Sequence, residues 1–130
     1  MITLPPLFEE RMRRLLGDDF ENYKVALNQT PIKAFRVNTD KISVKEFEKL
    51  EFKTDKKVPY CDNAYYLENQ KLGNHPYHHA GMIYIQEPAA MAPAECIDIE
   101  PDWKILDMCA APGGKSSQLK NKLIENGVLV

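Results

Sequence analysis

The stretch Asp107-Met108-Cys109-Ala110-Ala111-Pro112-Gly113-Gly114-Lys115-Ser116 decides the fold, because it has the layout of a ligand-binding loop. The apolar run at 103–106 predicts a strand before this loop. Leucines and an isoleucine on one face predict a helix over 116–126 that ends at Gly127. Residues 128–130 begin another apolar run, where the sequence ends. The pattern indicates the first strand, loop and helix of a doubly wound sheet, and therefore part of an enzyme rather than a whole one.

Three classes of ligand bind at a glycine turn before a helix, and each demands a different spacing. A P-loop for phosphate needs Gly, four residues and Gly-Lys-Ser/Thr, but Cys109 stands where its first glycine should be. A dinucleotide-binding fold needs Gly-x-Gly-x-x-Gly, which Gly113-Gly114 does not supply. The third class is S-adenosylmethionine, an adenosine joined to an amino acid through a cationic sulfonium.

Asp107 favours this third class. It follows the strand, at the edge of the sheet where such folds bind ligands. A carboxylate there repels a triphosphate and attracts an ammonium or sulfonium group. Lys115 is the counter-argument, because a lysine after two glycines usually indicates phosphate. A plain turn between strand and helix also stays open.

Three segments carry a resemblance to a known family. Asp107–Lys115 resembles the first motif of the Sun/nucleolar-protein family of RNA (cytosine-5) methyltransferases. The segment 84–91 (YIQEPAAM) resembles the element that precedes this motif, and Phe35-Arg36-Val37-Asn38 resembles an Arg-x-Asn signature of the family's N-terminal domain. The resemblance covers nearly all of the chain and is closest to the bacterial ribosomal small-subunit methyltransferase F subgroup.

The resemblance implies a cofactor, a partner and a set of binding residues. The cofactor of the full-length protein would be S-adenosyl-L-methionine, and the partner would be RNA, most naturally ribosomal RNA. The expected cofactor-binding residues are Asp107, Cys109, Ala110, Ala111, Pro112, Gly113, Gly114 and Lys115. Gln86 and Glu87 are expected to border the cofactor or the substrate base, or else to hold the junction between domains.

The predicted fold has two parts that meet near Gly81. Residues 1–80 are expected to form a small α+β domain that faces RNA, and residues 81–130 to start a Rossmann-like α/β methyltransferase domain that is truncated here. The predicted helices lie at 5–16, 19–27, 43–50 and 88–96, the strands at 32–37, 58–61, 65–67 and 82–86, and a turn-rich loop at 69–79.

Arg36 and Asn38 are the candidate RNA-binding residues. They lie two apart on a predicted strand, so both should project from one face, opposite Phe35 and Val37. An arginine and an amide on an exposed face suit contacts with phosphates or base edges. An ordinary solvent-facing surface is the open alternative.

Composition bounds the function without identifying it. The net charge of −2 gives RNA binding no support of its own, and no apolar run is long enough to cross a bilayer. An odd count of cysteines, 3, indicates a reducing cytoplasm. His75, His78 and His79 do not complete a four-ligand zinc set, so we expect no metal site.

The resemblance implies covalent catalysis by a cysteine that adds to C6 of cytosine and activates C5 for methylation. In the family the nucleophile lies beyond the glycine motif, so this chain should hold no catalytic residue, and Cys61, Cys96 and Cys109 should not be nucleophiles. We expect an inactive fragment whose unpaired sheet edge favours self-association. The alternatives are a non-catalytic RNA- or ribosome-binding module and a P-loop-like nucleotide binder.

Overall fold

The computed structural model describes residues 2–50, 52, 54, 56–67 and 72–130 of the chain. The chain divides into two compact units, Met1–Pro31 and Ile32–Val130. The second unit contains both the sheet formed around Arg36 and the glycine loop. The predicted domain boundary near Gly81 therefore does not coincide with a gap between compact units, and it stays a prediction about domain organisation.

The first unit is a helical pair. Helix α1 (Pro6–Leu16) begins at a proline, ends at Gly17, and is followed by a 3-10 turn and helix α2 (Phe20–Leu27), as the sequence predicts. Phe20 is the residue of these helices that is fully buried, and the Arg13 guanidinium lies 4.2 Å from the centre of its ring. Arg13 also pairs with Glu9 and Glu21, so one arginine joins the two helices.

The second unit is built on a four-stranded antiparallel sheet in the order β2-β3-β1-β4. The strands are β1 (Lys33–Val37), β2 (Lys57–Val58), β3 (Cys61–Leu67) and β4 (Ile83–Gln86). The predicted strand at 58–61 is wrong in its extent, because the chain turns at 59–60 and Cys61 already belongs to the next strand. Strand β1 is one of the two inner strands and is flanked by β3 and β4.

Both faces of the sheet are covered. An aromatic cluster of Phe35, Phe47, Phe52 and Tyr65 packs on one face, with ring centroids 5.3–6.1 Å apart. Ala34, Val58, Cys61 and Ala64 are buried with Met91 of helix α5 (Pro88–Glu95) in a second cluster. Alternation along β1 thus sends Phe35 to one cluster and Ala34 to the other.

Helix α3 (Val44–Phe47) begins at the capping box that the sequence predicts. The Ser43 hydroxyl accepts a hydrogen bond from the Glu46 N–H at 3.2 Å, and the Glu46 carboxylate accepts one from the Ser43 N–H at 3.2 Å. The helix ends at Phe47, three residues before the predicted end at 50, and Phe47 contributes its ring to the aromatic cluster.

Replacing Ser43 by alanine is expected to lower the free energy of unfolding by about 1 kcal/mol, because the Glu46 N–H loses its acceptor. Urea denaturation followed by circular dichroism measures this loss. Ser43→Thr keeps the hydroxyl and is the matched control. Equal losses in the two variants would mean that the hydroxyl does not stabilise the helix start.

The segment predicted as a loop at 69–79 contains more regular structure than expected. Residues 72–74 form a 3-10 turn, and Pro76–His79 form a short helix, α4. The start of that predicted loop, at 69–71, lies outside the described residues. The reason for the helix is a local cap, since Nδ1 of His75 accepts a hydrogen bond from the Tyr77 N–H and Pro76 occupies the first turn.

The glycine loop connects two parallel strands through a helix. Strand β5 (Lys104–Ile105) pairs in parallel with β6 (Val128–Leu129), and helix α6 (Gly114–Lys120) lies between them in the chain. The predicted helix at 116–126 is wrong at both ends. The chain leaves the helix at Asn121, and the Ile124 N–H donates to the Pro101 carbonyl instead. Leu119 and Leu123 are buried as predicted, whereas Ile124 is 61% exposed.

Within the described part of the chain, no helix is both long enough and apolar enough to cross a membrane.

Candidate functional site

The glycine loop is a tight turn with an internal hydrogen-bond pattern. Gly113 has φ of +103°, a conformation that favours glycine, and its N–H donates to the Ala110 carbonyl at 2.6 Å. Gly114 is the first residue of α6. Most side chains of the loop, from Cys109 to Pro112, are exposed. The backbone therefore holds the loop in shape through its own hydrogen bonds, and the outer side of the loop is exposed.

Asp107 lies beneath the loop, as predicted, and organises it. Oδ1 of Asp107 accepts a hydrogen bond from the Cys109 N–H at 3.1 Å, and Oδ2 accepts one from the Ser116 hydroxyl at 2.7 Å. Its backbone N–H donates to the Val130 carbonyl at 2.8 Å, which places it at the end of β5 beside β6. The carboxylate thus ties the start of the loop to the helix that follows it.

A cleft of about 210 Å³ lies between the loop and the end of β4. Tyr84, Gln86 and Ala90 line one side, and the loop from Cys109 to Pro112 lines the other, together with Gly114 and Lys115. The Tyr84 hydroxyl donates to the Pro112 carbonyl at 3.2 Å. A Cβ atom on Gly114 would lie 3.3 Å from Nε2 of Gln86, so the glycine allows the strand and the loop to approach closely.

Gln86 lies at this cleft, and its contact with a cofactor or a base stays a prediction. Its Nε2 donates to the Ala90 carbonyl at 3.0 Å, and its Oε1 is buried with no hydrogen-bond partner among the described residues. Glu87 is exposed at the start of α5 and makes no side-chain cap. The structure therefore separates the two neighbours, with Gln86 at the cleft and Glu87 in contact with solvent.

The exposed face predicted for Arg36 and Asn38 is wrong. Arg36 is 1% exposed, and its guanidinium donates to α6 and the residue after it. Asn38, the first residue after β1, donates from Nδ2 to the Gly81 carbonyl and accepts from Nδ2 of Asn121. Helix α6 covers the face that was expected to meet solvent. RNA contact by these two residues stays a prediction, and the buried guanidinium gives it no support.

A further set of polar side chains, around the Glu95 carboxylate, contacts α6 and the residues after it. The Glu95 carboxylate accepts hydrogen bonds from Nε2 of Gln118 at 2.6 Å and from Nζ of Lys122 at 3.1 Å. Cys61 lies beside the same carboxylate, with 3.4 Å between Sγ and Oε1. Burial acts to raise the pKa of Glu95, but the hydrogen bonds from Gln118, Lys122 and Cys61 outweigh it and lower that pKa below its ordinary value.

The sequence pattern did not indicate the inward-facing polar residues of α6, or Asn121 just after it. Ser117, Gln118 and Asn121 all point towards the sheet and α5 rather than to solvent. A signal was present, because positions 114, 117, 118 and 121 share one side of a helix. Their polar character made that side resemble a solvent-facing surface.

The cysteines occupy three different environments. Cys61 is buried, whereas Cys96 and Cys109 are exposed. Cys96 is the last residue of the helix predicted at 88–96, but α5 ends at Glu95 and Cys96 is exposed just after it. Burial, followed by the negative charge of Glu95, raises the pKa of the Cys61 thiol from 9.0 to about 12. Cys61 is therefore a neutral thiol at physiological pH.

Iodoacetamide is expected to alkylate Cys96 and Cys109 in the folded chain and to spare Cys61. The raised pKa lowers the thiolate fraction of Cys61 roughly 1000-fold relative to a thiol with the ordinary value of 9.0, and burial blocks the reagent as well. Peptide mass spectrometry measures the three modifications. In urea all three should react, and fast labelling of Cys61 without urea would contradict its buried position.

Histidines and acidic residues do not gather into a metal site in the described ranges, where no group of three His, Cys, Asp or Glu side chains is placed to hold an ion. His75 has a structural position instead, as the cap of α4.

Known proteins resemble this chain in sequence and in fold. The chain matches the model of a family described as the N-terminal domain of 16S rRNA methyltransferase RsmF over residues 4–88. The match covers the helical pair and the four-stranded sheet and ends before the glycine loop. It spans more than half of the chain.

Individual relatives extend the similarity across the loop. The chain is 34% identical over 140 residues to the ribosomal RNA small subunit methyltransferase F of Vibrio parahaemolyticus, which covers 99% of this chain and 29% of that protein. It is 37% identical over 144 residues to the protein of the same name from Vibrio cholerae, with 99% and 30% covered. The chain therefore spans less than a third of the length of these curated relatives.

A solved structure supports the same comparison. A methyltransferase homologue from Pyrococcus horikoshii has a TM-score of 0.72 and 34% identity to this chain, and the match covers 97% of this chain and 43% of the other. The fold of this chain is thus similar to that of part of a methyltransferase homologue.

Proposed function

Because the chain belongs to the family of the N-terminal domain of 16S rRNA methyltransferase RsmF, we propose that it is the N-terminal part of an S-adenosylmethionine-dependent RNA (cytosine-5) methyltransferase. Its substrate would be ribosomal RNA, and its location the cytoplasm. Within this proposal the second unit supplies one wall of the cofactor site, and residues outside this chain supply the rest, including the catalytic cysteine. The strand–loop–helix–strand at 104–129 would be the start of a Rossmann-like sheet.

The choice of cofactor rests on one observation: two backbone N–H groups of the loop already donate hydrogen bonds within the loop region. A P-loop must direct successive backbone N–H groups at a phosphate. Here the Cys109 N–H is bound by the Asp107 carboxylate, and the Gly113 N–H is bound by the Ala110 carbonyl. With a carboxylate directly beneath it, this loop suits a ligand that carries positive charge better than a polyphosphate.

The residues at the cleft fit S-adenosylmethionine in chemical character. When bound, this cofactor supplies a methyl group on a cationic sulfonium. Asp107 would hold negative charge near that cation, and the backbone and small side chains of Cys109 to Lys115 would lie against the ligand. The buried, unpartnered Oε1 of Gln86 offers an acceptor to an N–H or O–H group of the ligand.

The size of the cleft agrees with a shared site. Pockets for small ligands usually enclose about 300–1,000 Å³. At about 210 Å³, this cleft can hold only part of such a ligand. The remaining walls would come from another part of the protein, in keeping with the small share of the relatives that this chain spans.

None of the three cysteines suits the role of nucleophile. Covalent attack on cytosine needs a thiolate that is accessible and aligned with the base. Cys61 is buried and protonated, Cys96 lies at the end of α5, and Cys109 belongs to the cofactor loop. We therefore assign the nucleophile to a residue outside this chain, as the resemblance implies.

Two measurements on the whole protein that contains this chain test the proposal. Isothermal titration should detect saturable binding of S-adenosylmethionine and no comparable binding of ATP. Incubation with radiolabelled cofactor and small ribosomal subunits should label a cytosine of the RNA, which nucleoside mass spectrometry identifies. Preferential ATP binding would support a P-loop-like site instead. RNA binding without cofactor binding would support a non-catalytic RNA-binding module.

A further inference from the structure

We propose that Arg36 is a positioning residue for the cofactor loop, and that it acts by holding the two-glycine turn against the sheet. This inference rests on the proposed cofactor site, because it assigns a task to a residue that the cleft itself does not include. In this inference Arg36 is a buried structural link between strand β1 and helix α6, and not an exposed contact with RNA.

The guanidinium of Arg36 makes three hydrogen bonds across α6. Nη2 donates to the Gly114 carbonyl at 3.1 Å and to the Ser117 hydroxyl at 2.7 Å, and Nη1 donates to Oδ1 of Asn121 at 2.9 Å. These acceptors follow one side of the helix, from its first residue to the residue just after its end. One side chain therefore fixes both the rotation of α6 and its distance from the sheet.

The β1–β4 strand register places Arg36 opposite Tyr84, which makes a second contact with the loop. The Tyr84 hydroxyl donates to the Pro112 carbonyl, and Arg36 donates to the Gly114 carbonyl. These two carbonyls flank Gly113, the residue with φ of +103°. Two neighbouring positions of the sheet thus hold the turn from both sides.

The chemistry of this contact requires arginine. A planar guanidinium presents several N–H donors in a fixed fork, whereas a lysine ammonium is a compact charge on a flexible stem. Arg36 is 1% exposed and starts from the central strand, so the fork has a rigid base. Burial lowers the pKa of the Arg36 guanidinium, and the negative charge of Glu95 opposes this shift without cancelling it.

The experiment compares Arg36→Met and Arg36→Lys with Lys122→Met in the whole protein. Lys122 is the matched control, because it is also a cation that holds the α6 region, through Glu95 and the Ala94 carbonyl, but it makes no contact with the loop. Three quantities are measured in each variant, namely the Kd for S-adenosylmethionine, the hydrogen-exchange rates of backbone amides at 109–117, and the Tm.

The Arg36 variants should weaken cofactor binding by about tenfold or more, in line with the loss seen when hydrogen bonds that orient metal ligands are removed. Exchange should accelerate at 109–117 more than in the four-stranded sheet. Lys122→Met should lower the Tm without either effect. Equal shifts of Kd and exchange in the Arg36 and Lys122 variants would overturn the proposal, since Arg36 would then be a general stabilising residue.

Two further outcomes keep this inference separate from the proposed function. If the unaltered protein does not bind S-adenosylmethionine, the proposed function fails, but the exchange rates still test whether Arg36 holds the loop. If Arg36→Met does not fold, Ser117→Ala provides the test, because it removes one acceptor and leaves the guanidinium in place. Unchanged exchange at 109–117 in Ser117→Ala and Arg36→Lys would then reject the positioning role.

Discussion

Replacing Gly114 by valine is expected to weaken S-adenosylmethionine binding roughly 10- to 100-fold. A Cβ atom at this position would lie 3.3 Å from Nε2 of Gln86 and 3.3 Å from Cε1 of Tyr84, and the valine methyl groups would extend further into the cleft. The ligand would have to bind around these methyl groups, and each 1.4 kcal/mol of binding free energy lost in this way corresponds to about a tenfold change in affinity. Isothermal titration of the whole protein measures the effect.

Gly73→Val is the control for this substitution, because a Cβ atom on Gly73 would meet none of the described residues within 4 Å. The control should bind the cofactor as tightly as the unaltered protein. A Gly114→Val protein that keeps both its Tm and its cofactor affinity would show that the cleft between the loop and β4 is not the binding site.

Replacing Gly127 by alanine is expected to lower the free energy of unfolding by about 1–3 kcal/mol. A Cβ atom here would lie 2.6 Å from the Pro101 carbonyl oxygen and 2.8 Å from Cβ of Leu123. The Pro101 carbonyl already accepts the Ile124 N–H, so it cannot move without breaking that hydrogen bond. The two segments that would separate lead directly into β5 and β6, so the parallel pair should loosen as well.

Urea denaturation of the chain measures this loss, and hydrogen exchange locates it. Gly73→Ala is again the control and should leave the stability unchanged. Faster exchange should be confined to the β5–β6 region, where the Val128 N–H donates to the Trp103 carbonyl and the Val130 N–H donates to the Ile105 carbonyl. An unchanged stability in Gly127→Ala would mean that the turn after α6 is more adaptable than this structure indicates.

Together the two glycine substitutions separate binding from folding. Gly114 lies where strand and loop approach each other around the cleft, and Gly127 lies where the chain enters β6. The first variant should lose affinity while the sheet at 33–86 stays intact. The second should lose stability in the small parallel sheet. Neither variant tests the predicted self-association of the chain.

Local sequence patterns predicted the elements that depend on neighbouring residues. Pro6 and Gly17 mark the ends of α1, and the Ser43–Glu46 capping box marks the start of α3, because caps and turns are determined by residues a few positions apart. The assignment to the Sun and RsmF family, made from short motifs, is confirmed by matches over nearly the whole chain.

The same local patterns could not predict contacts between segments that are distant in the sequence. The end of α6 at Lys120 and the exposure of Ile124 both follow from contacts with segments distant in the sequence. Asn121 forms hydrogen bonds with Arg36 and Asn38, which lie 85 and 83 positions away along the chain. Periodicity predicted a longer helix because it reports only which residues share a face, and not which partner ends the helix.

The sequence by itself determined the glycine turn, the carboxylate beneath it and the strands on either side, because these depend on backbone conformations and spacings within about ten residues. Only the tertiary structure decided what Arg36 does. The same side chain would contact solvent or RNA on a bare sheet, and it became a buried clamp because α6 folds back over β1 and offers three acceptors to its guanidinium. A charged residue is buried only where such partners compensate its loss of water, and those partners come from the fold.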